Sequence, residues 1–188
     1  MKKLKQKMTD KSGFTLVEIA IVMVIIGLLV GGILKGQAMI ENAKVRRVTE
    51  DMEGLRAATF AFLDRFGMYP GDENAVGIPP GDGNDGNNNG QFNETDGWEI
   101  EDLRLAGLLS GTGTALPTHA FGGTLRVDFN NIGGSGNRNH ITATNLPAEV
   151  CAEIDLKFDD GVQNTGDIRG SAAYTAGTTI ATFGWSLN

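Results

Sequence analysis

Residues 85–96, DGNNNGQFNETD, place oxygen-bearing side chains at regular intervals along a glycine-rich segment. A calcium loop of the EF-hand type needs oxygen ligands at positions 1, 3, 5, 7, 9 and 12, with glycine at position 6. Gly90 stands at position 6, and Phe92 fills the apolar position 8. The spacing therefore predicts a Ca²⁺ site whose six ligands are Asp85, Asn87, Asn89, Gln91 (through its backbone carbonyl), Asn93 and Asp96.

The segment departs from that template in two ways. No helix is predicted before it, because Pro79 and Pro80 precede it, and position 12 is Asp96, which is one methylene shorter than the usual glutamate. A surface loop with this spacing by chance is the alternative, so the sequence predicts either no cofactor or Ca²⁺. If the register slides, substitute ligands are available in Asp82, Asn84 and Glu94. A second acidic group has no metal-site spacing and is interpreted as a solvated turn: Asp155, Asp159 and Asp160.

Other side chains with catalytic potential are few. The two histidines, His119 and His140, lie in sequence that we interpret as turn-rich, and we expect them to be satisfied or exposed. Cys151 is the only cysteine, so no intramolecular disulfide forms, and it has no recognisable histidine partner. No G-x-S-x-G or phosphate-binding loop occurs. The sequence predicts that the protein is not an enzyme.

Charge is unevenly distributed along the 188 residues. The net charge is −7, yet residues 1–13 carry five lysines against Asp10, so the remainder is strongly acidic. Nucleic-acid binding needs Lys and Arg to neutralise phosphates, so no nucleic-acid partner is expected.

Residues 14–34 form an apolar run in which Glu18 is the only charge. About 20 apolar residues span a bilayer as a helix, and the preceding lysines favour a cytoplasmic N-terminus. A secretory signal peptide would have a shorter apolar region that ends in an A-x-A-like cleavage site, and Gly31, Gly32 and Gly36 stand here instead. A plain membrane anchor explains the run but leaves Glu18, a costly charge in hydrocarbon, without a reason.

The stretch GFTLVEIAIVMVIIGLLV resembles the prepilin signature of type IV pilins and type II secretion pseudopilins. That signature has a basic leader ending in glycine, then Phe, then an apolar helix with Glu at its fifth position, and Gly13, Phe14 and Glu18 match it. The resemblance implies that a prepilin peptidase cleaves between Gly13 and Phe14 and that Phe14 is N-methylated. The leader, residues 1–13, begins at Met1, with Met8 as an alternative start.

The resemblance also implies partners and a location. The precursor would be a single-pass protein of the bacterial inner membrane, and an assembly platform there would move it into a periplasmic or extracellular filament. Copies of itself or other pilins would surround it, and Glu18 would pair with the N-terminal amine of a neighbouring subunit. A buried charge is tolerated only when it is paired, so this pairing would fix the register between subunits.

The remaining sequence predicts an α+β fold. Apolar residues spaced three and four apart continue the helix through residues 35–66, and Gly67 and Pro70 end it. Residues 67–188 predict a globular domain with a short helix from Trp98, a half-buried strand at residues 123–132, a helix or alternatively a strand at residues 145–158, and a last strand from residue 178. A long N-terminal helix packed on a small antiparallel sheet with loop insertions agrees with the pilin fold that the resemblance implies.

Three functions remain open at this point. The first is a structural subunit of a type IV pilus or of a secretion pseudopilus. The second is a minor pilin that acts as a binding or adhesin module at a filament tip, and the third is an anchored calcium-binding protein that does not assemble. Glu18 favours an ordinary subunit, since the tip subunits of such families often lack this glutamate.

Overall fold

The computed structural model describes residues 13–75, 77–92 and 97–187, and it contains three helices and four strands. The chain divides after Asn42 into two compact units. The helices are α1 (Leu16–Phe66), α2 (Trp98–Leu105) and α3 (Ala148–Phe158), and the strands are β1 (Leu125–Asn130), β2 (Arg138–Pro147), β3 (Ile168–Gly170) and β4 (Thr179–Ser186). The predicted α+β class, with a long N-terminal helix and a small antiparallel sheet, is confirmed.

In the first unit, residues 16–42 of α1 expose their apolar side chains. Leu16 is 90% exposed and Leu28 is 73% exposed, and the same holds for the valines, isoleucines and leucines between them. A β-carbon placed on Gly31, Gly32 or Gly36 would meet no atom within 4 Å. This part of the helix is long and apolar enough to cross a membrane.

In the second unit, the α1 residues after Asn42 supply one apolar stripe to the core. The stripe is buried at three- and four-residue intervals, as the sequence predicted: Val45, Val48, Met52, Leu55, Thr59 and Phe62. The opposite face carries ion pairs one turn apart, Arg46–Glu50 and Arg47–Asp51. The helix ends as expected at Gly67, whose φ of 75° is the left-handed conformation typical of a helix C-terminus.

The sheet has the strand order β1-β2-β4-β3, and every pair is antiparallel. Leu125 and Val127 of β1, Ile141 and Ala143 of β2 and Phe183 of β4 lie in the same hydrophobic cluster as the α1 stripe. The predicted strands at residues 123–132 and from residue 178 are therefore confirmed, as is the short helix from Trp98. Residues 148–158 form α3, so helix was the right choice over strand.

Two strands contradict the turn-rich interpretation of their segments. β2 is the longest strand and contains His140, which is buried rather than part of a turn. β2 lies between β1 and β4, so both of its edges are hydrogen-bonded and residues 139–143 are buried without alternation. β3 is a three-residue strand at the end of residues 159–170, which the sequence suggested were a turn. It pairs with β4 at one edge of the sheet, and its Ile168 is buried in the core.

Candidate functional site

The start of α1 is organised by Thr15 and Glu18. The Thr15 backbone N–H and hydroxyl both donate to Glu18 Oε2 at 2.8 Å, and the Glu18 N–H donates to the Thr15 hydroxyl at 3.2 Å. This reciprocal pattern, with Thr followed three residues later by Glu, is a capping box. In this chain Glu18 therefore already has a local partner, its own helix terminus.

Around this terminus the backbone is open and the apolar side chains are exposed. A β-carbon on Gly13 would meet no atom within 4 Å, and Phe14 is 85% exposed. The two residues on either side of the predicted scissile bond are thus accessible.

The predicted calcium loop is described only in part, since Asn93 and Asp96 lie outside the described residues. Asp85, Asn87 and Asn89 are exposed, and the Asn89 side-chain oxygen accepts a hydrogen bond from the Gln91 N–H at 2.8 Å. Calcium binding by residues 85–96 stays a prediction.

Asp72, which the sequence analysis did not single out, holds this loop. Its side chain is fully buried, and its carboxylate accepts the N–H groups of Asn89 (3.0 Å) and Gly90 (2.7 Å). Its backbone carbonyl accepts the N–H of Asn88 at 2.7 Å. Three consecutive amides of the loop therefore donate to Asp72. The two that donate to its carboxylate form charge-assisted bonds, which are among the stronger hydrogen bonds in proteins.

A second set of carboxylates joins the loop after α1 to α2. Glu73 follows Asp72 in the sequence, Asp82 lies further along the loop, and Asp102 belongs to α2. Glu73, Asp82 and Asp102 each place a carboxylate oxygen within 4.8 Å of the others. Glu73 and Asp102 are each 1% exposed, and Asp82 is half-buried. Burial raises the pKa of Glu73, and the neighbouring Asp102 raises it further; burial also raises the pKa of Asp102. The sequence offered Asp82 as a substitute calcium ligand. It gave no indication of Glu73 and Asp102, because they come from other segments and their spacing matches no metal-site pattern.

A family model of the prokaryotic N-terminal methylation motif matches residues 8–34. The chain carries a pilin-type methylation motif. The motif is the signature of type IV pilins and pseudopilins, and it confirms the resemblance read from Gly13, Phe14 and Glu18. No curated protein and no solved structure matches the chain.

The methylation motif and the exposed apolar helix together fit a membrane-anchored, pilin-like precursor. The match covers the first turns of α1 and the residues before them, so the globular unit has to be interpreted from its own geometry.

In the globular unit of this pilin-like chain, the other groups with catalytic potential have structural roles. His119 is buried, with Nε2 2.8 Å from the Thr144 carbonyl and Nδ1 accepting the Phe121 N–H. Burial raises the pKa of the Cys151 thiol to about 12, which keeps it protonated and unreactive.

The carboxylates of Asp155, Asp159 and Asp160 also approach one another, yet each has partners. Asp155 accepts the Tyr174 hydroxyl (2.8 Å) and the Gly161 N–H (3.0 Å), and burial raises its pKa. Asp159 accepts the N–H groups of residues 167 and 168, and Asp160 accepts the Val162 N–H. These bonds shape the turn before β3, as the sequence interpretation of a turn expects, although Asp155 itself is buried.

Proposed function

We propose that this protein is a structural subunit of a type IV pilus or pseudopilus filament. The observation that carries the proposal is the methylation motif at residues 8–34, placed at the start of a helix whose apolar side chains are exposed. An exposed apolar helix of this length requires lipid or other helices around it, because contiguous apolar surface of this extent is costly in water. A bilayer before assembly and a bundle of identical helices after assembly both meet that requirement.

Processing is the first step of the proposal. A prepilin peptidase cleaves the peptide bond between Gly13 and Phe14 on the cytoplasmic side, and the new amine of Phe14 is methylated. Gly13 suits this step because it lacks a side chain that would obstruct approach to the backbone. The leader lysines stay in the cytoplasm, in agreement with the positive-inside rule.

Assembly is the second step. The mature helix leaves the membrane and packs against other subunits, and Glu18 pairs with the N-terminal amine of a neighbour. The capping box with Thr15 supports this role, because it fixes the carboxylate at the helix terminus where an incoming amine would meet it. An unpaired carboxylate in the wrong register would be buried without a counter-ion, so the pairing selects one register.

The processing step is tested with Gly13→Val in the organism's own or a heterologous prepilin system. The wild-type filament subunit should begin at an N-methylated Phe14 in N-terminal peptide mass spectrometry. Gly13→Val should keep its leader and stay out of filaments, because the branched side chain obstructs the peptidase. Gly13→Ala adds only one methyl group and serves as the matched control, with cleavage largely retained. Full-length, uncleaved wild-type protein in assembled filaments would refute the proposal.

A further inference from the structure

The cluster of Glu73, Asp82 and Asp102 contains carboxylate oxygens that lack hydrogen-bond partners. Glu73 Oε2, Asp82 Oδ2 and Asp102 Oδ1 are buried, and no N–H or hydroxyl group of the described residues donates to them. The side chains of Glu73 and Asp102 are close enough to hydrogen-bond to each other, but only when one of the two carries a proton. Buried polar atoms in folded proteins nearly always have a partner, and an orphaned buried carboxylate oxygen is costly. A proton shared by Glu73 and Asp102 would satisfy that pair but would leave Asp82 Oδ2 without a partner, whereas one cation would satisfy the oxygens of all three residues.

The remaining bonds of these side chains fix them in place. Asp102 Oδ2 accepts the Gly71 N–H, and Asp82 Oδ1 accepts the Asn84 N–H at 3.1 Å. The Asn84 side-chain amide in turn donates to Glu101 at 3.0 Å. The backbone of the loop and the first turns of α2 thus hold the carboxylates in position.

No basic side chain of the described residues neutralises the cluster. The charges that act on the pKa values of Glu73 and Asp102 are those of other acids, Asp82 and Glu101 among them. Arg65 and Arg104, the arginines that contact α2 or belong to it, donate to backbone carbonyls instead. The ion pairs found in the described part of the chain join Arg46 and Arg47 to α1 acids and Arg126 to Asp128. Several carboxylates buried together without a counter-charge repel one another, which is why such clusters hold a proton or a metal ion.

The separation of the carboxylates suits a calcium-sized ion. Ca²⁺ binds oxygen at about 2.4 Å, so two oxygens on the same ion are at most about 4.8 Å apart. The three carboxylates offer oxygens within 4.8 Å of one another. The cluster has no nitrogen or sulfur ligand, which zinc would favour, and Mg²⁺ dehydrates reluctantly and usually keeps several waters.

We propose that Glu73, Asp82 and Asp102 bind one Ca²⁺ ion that ties the loop after α1 to α2. This site is distinct from the predicted loop at residues 85–96, whose Asp85 is exposed. The chain has one cysteine and therefore no intramolecular disulfide, so the ion would be the cross-link that constrains this long, turn-rich segment. The Glu73 backbone carbonyl accepts the Gly86 N–H, so the same residue that binds the ion also holds the next part of the loop.

The test uses the full chain in detergent micelles at pH 7.5, titrated with CaCl₂ after chelator treatment. Calorimetry should give one ion per chain. At 1 mM Ca²⁺ the melting temperature should rise by about 5 °C or more, as expected when the free ion is about 100-fold above Kd. MgCl₂ at the same concentration should give a clearly smaller shift.

Three variants locate the ion. Glu73→Gln and Asp82→Asn keep the size of the side chain but remove its charge, and each should lose most of the calcium-induced shift. Without calcium, Glu73→Gln should melt close to the wild type, because glutamine keeps the size of the side chain and adds no charge to the cluster. Asp85→Asn is the matched control, since it removes one exposed carboxylate from the neighbouring loop. It should keep the shift.

The proposal is overturned if 10 mM Ca²⁺ leaves the wild-type melting curve unmoved, or if Mg²⁺ stabilises as much as Ca²⁺. It is also overturned if Glu73→Gln and Asp82→Asn respond to calcium as the wild type does. A loss of response in Asp85→Asn alone would place the ion in residues 85–96 instead. If Glu73→Gln does not fold, Asp82→Asn decides the question, because Asp82 is only half-buried. None of these outcomes depends on filament assembly.

Discussion

Glu18 combines two chemical properties that one substitution can separate. Its carboxylate caps the start of α1 through Thr15, and its charge is available to the amine of another subunit. Glutamine supports a capping box as glutamate does, but it is neutral. A comparison of glutamine with alanine at this position therefore distinguishes a need for the cap from a need for the charge.

We expect Glu18→Gln and Glu18→Ala to be cleaved and inserted into the membrane like the wild type, because both make the helix less polar. Both should lower the filament yield by about tenfold or more, since the neighbouring amine would be left without a counter-ion. The yield is measured in sheared surface material. A wild-type yield from Glu18→Gln, with a low yield from Glu18→Ala, would show that the cap and not the charge is required.

His140 is a buried residue whose protonation should weaken the fold. Its Nδ1 lies 2.9 Å from the Arg138 carbonyl, and Nε2 has no partner among the described residues. Burial lowers the pKa of His140, and the charges of Arg138 and Arg169 lower it further. Asp128, which stands opposite it on β1, is engaged by Arg126 and Asn130.

Because the folded state disfavours the protonated imidazole, the unfolded state binds the proton at higher pH. The contribution of His140 to stability is therefore fully present above its unfolded pKa of about 6.5, and it is lost as the pH falls below that value. We expect the melting temperature to fall between pH 7.5 and pH 5.5, and His140→Gln to lack that part of the fall. An imidazole signal of His140 that titrates at or above the usual pKa in an NMR titration would contradict this.

The residue-scale features differ in how far the sequence reveals them. Gly13, Phe14 and Glu18 are adjacent in the chain, so their pattern is visible without a structure. Glu73 and Asp102 meet only because the loop after α1 folds back on α2, and the sequence contains no periodicity that reports this contact. A carboxylate cluster assembled from separate segments is a product of tertiary structure.

At the scale of the element, α1 and β2 show when periodicity predicts structure. The α1 stripe repeats at three- and four-residue intervals because one face packs and the other faces water. β2 contains Asn139, His140 and Thr142, which are polar, yet all three are buried within a fully paired strand. Because polar and apolar residues do not alternate along β2, and because several of its residues are polar, its sequence resembles that of a loop.

The glycines of α1 raise a separate question at this scale. Gly31, Gly32 and Gly36 lie in continuous helix and have open space around them. Small residues at such positions allow helices to approach closely, whereas glycine also weakens a helix by about 1 kcal/mol relative to alanine. Close packing and local melting during assembly are thus the two explanations, and we favour packing.

Alanine separates them, because it stays small while it strengthens the helix. The triple variant with alanine at all three positions should assemble at near wild-type yield if packing is the reason for the glycines. The triple variant with leucine, which also favours helix but is bulky, should assemble poorly. Filaments are counted by electron microscopy of sheared material. Failure of the alanine variant to the same degree as the leucine variant would instead support local melting.

At the scale of the whole molecule, the two units on either side of Asn42 need different surroundings: the first needs an apolar environment and the second needs water. The first unit exposes apolar side chains, and the second has a closed hydrophobic core to which α1 contributes from Val45 onward. The acidic charge of the chain belongs to the part beyond residue 13, and a net charge far from zero favours the solubility of the globular unit. We therefore expect the core of the second unit to be stable without residues 16–34 of α1.

A fragment that begins at Lys35 should accordingly fold without detergent. We expect it to be monomeric by light scattering and to melt within about 5 °C of the full chain in micelles, because every buried core residue is retained. A second fragment that begins at Thr49 is the matched control. It loses Val45 and Val48, which are 7% and 0% exposed, and should be less stable by about 3 kcal/mol or more. Equal stability of the two fragments in urea unfolding would show that Val45 and Val48 do not contribute to the core. Aggregation of the longer fragment would show that the second unit depends on residues before Lys35.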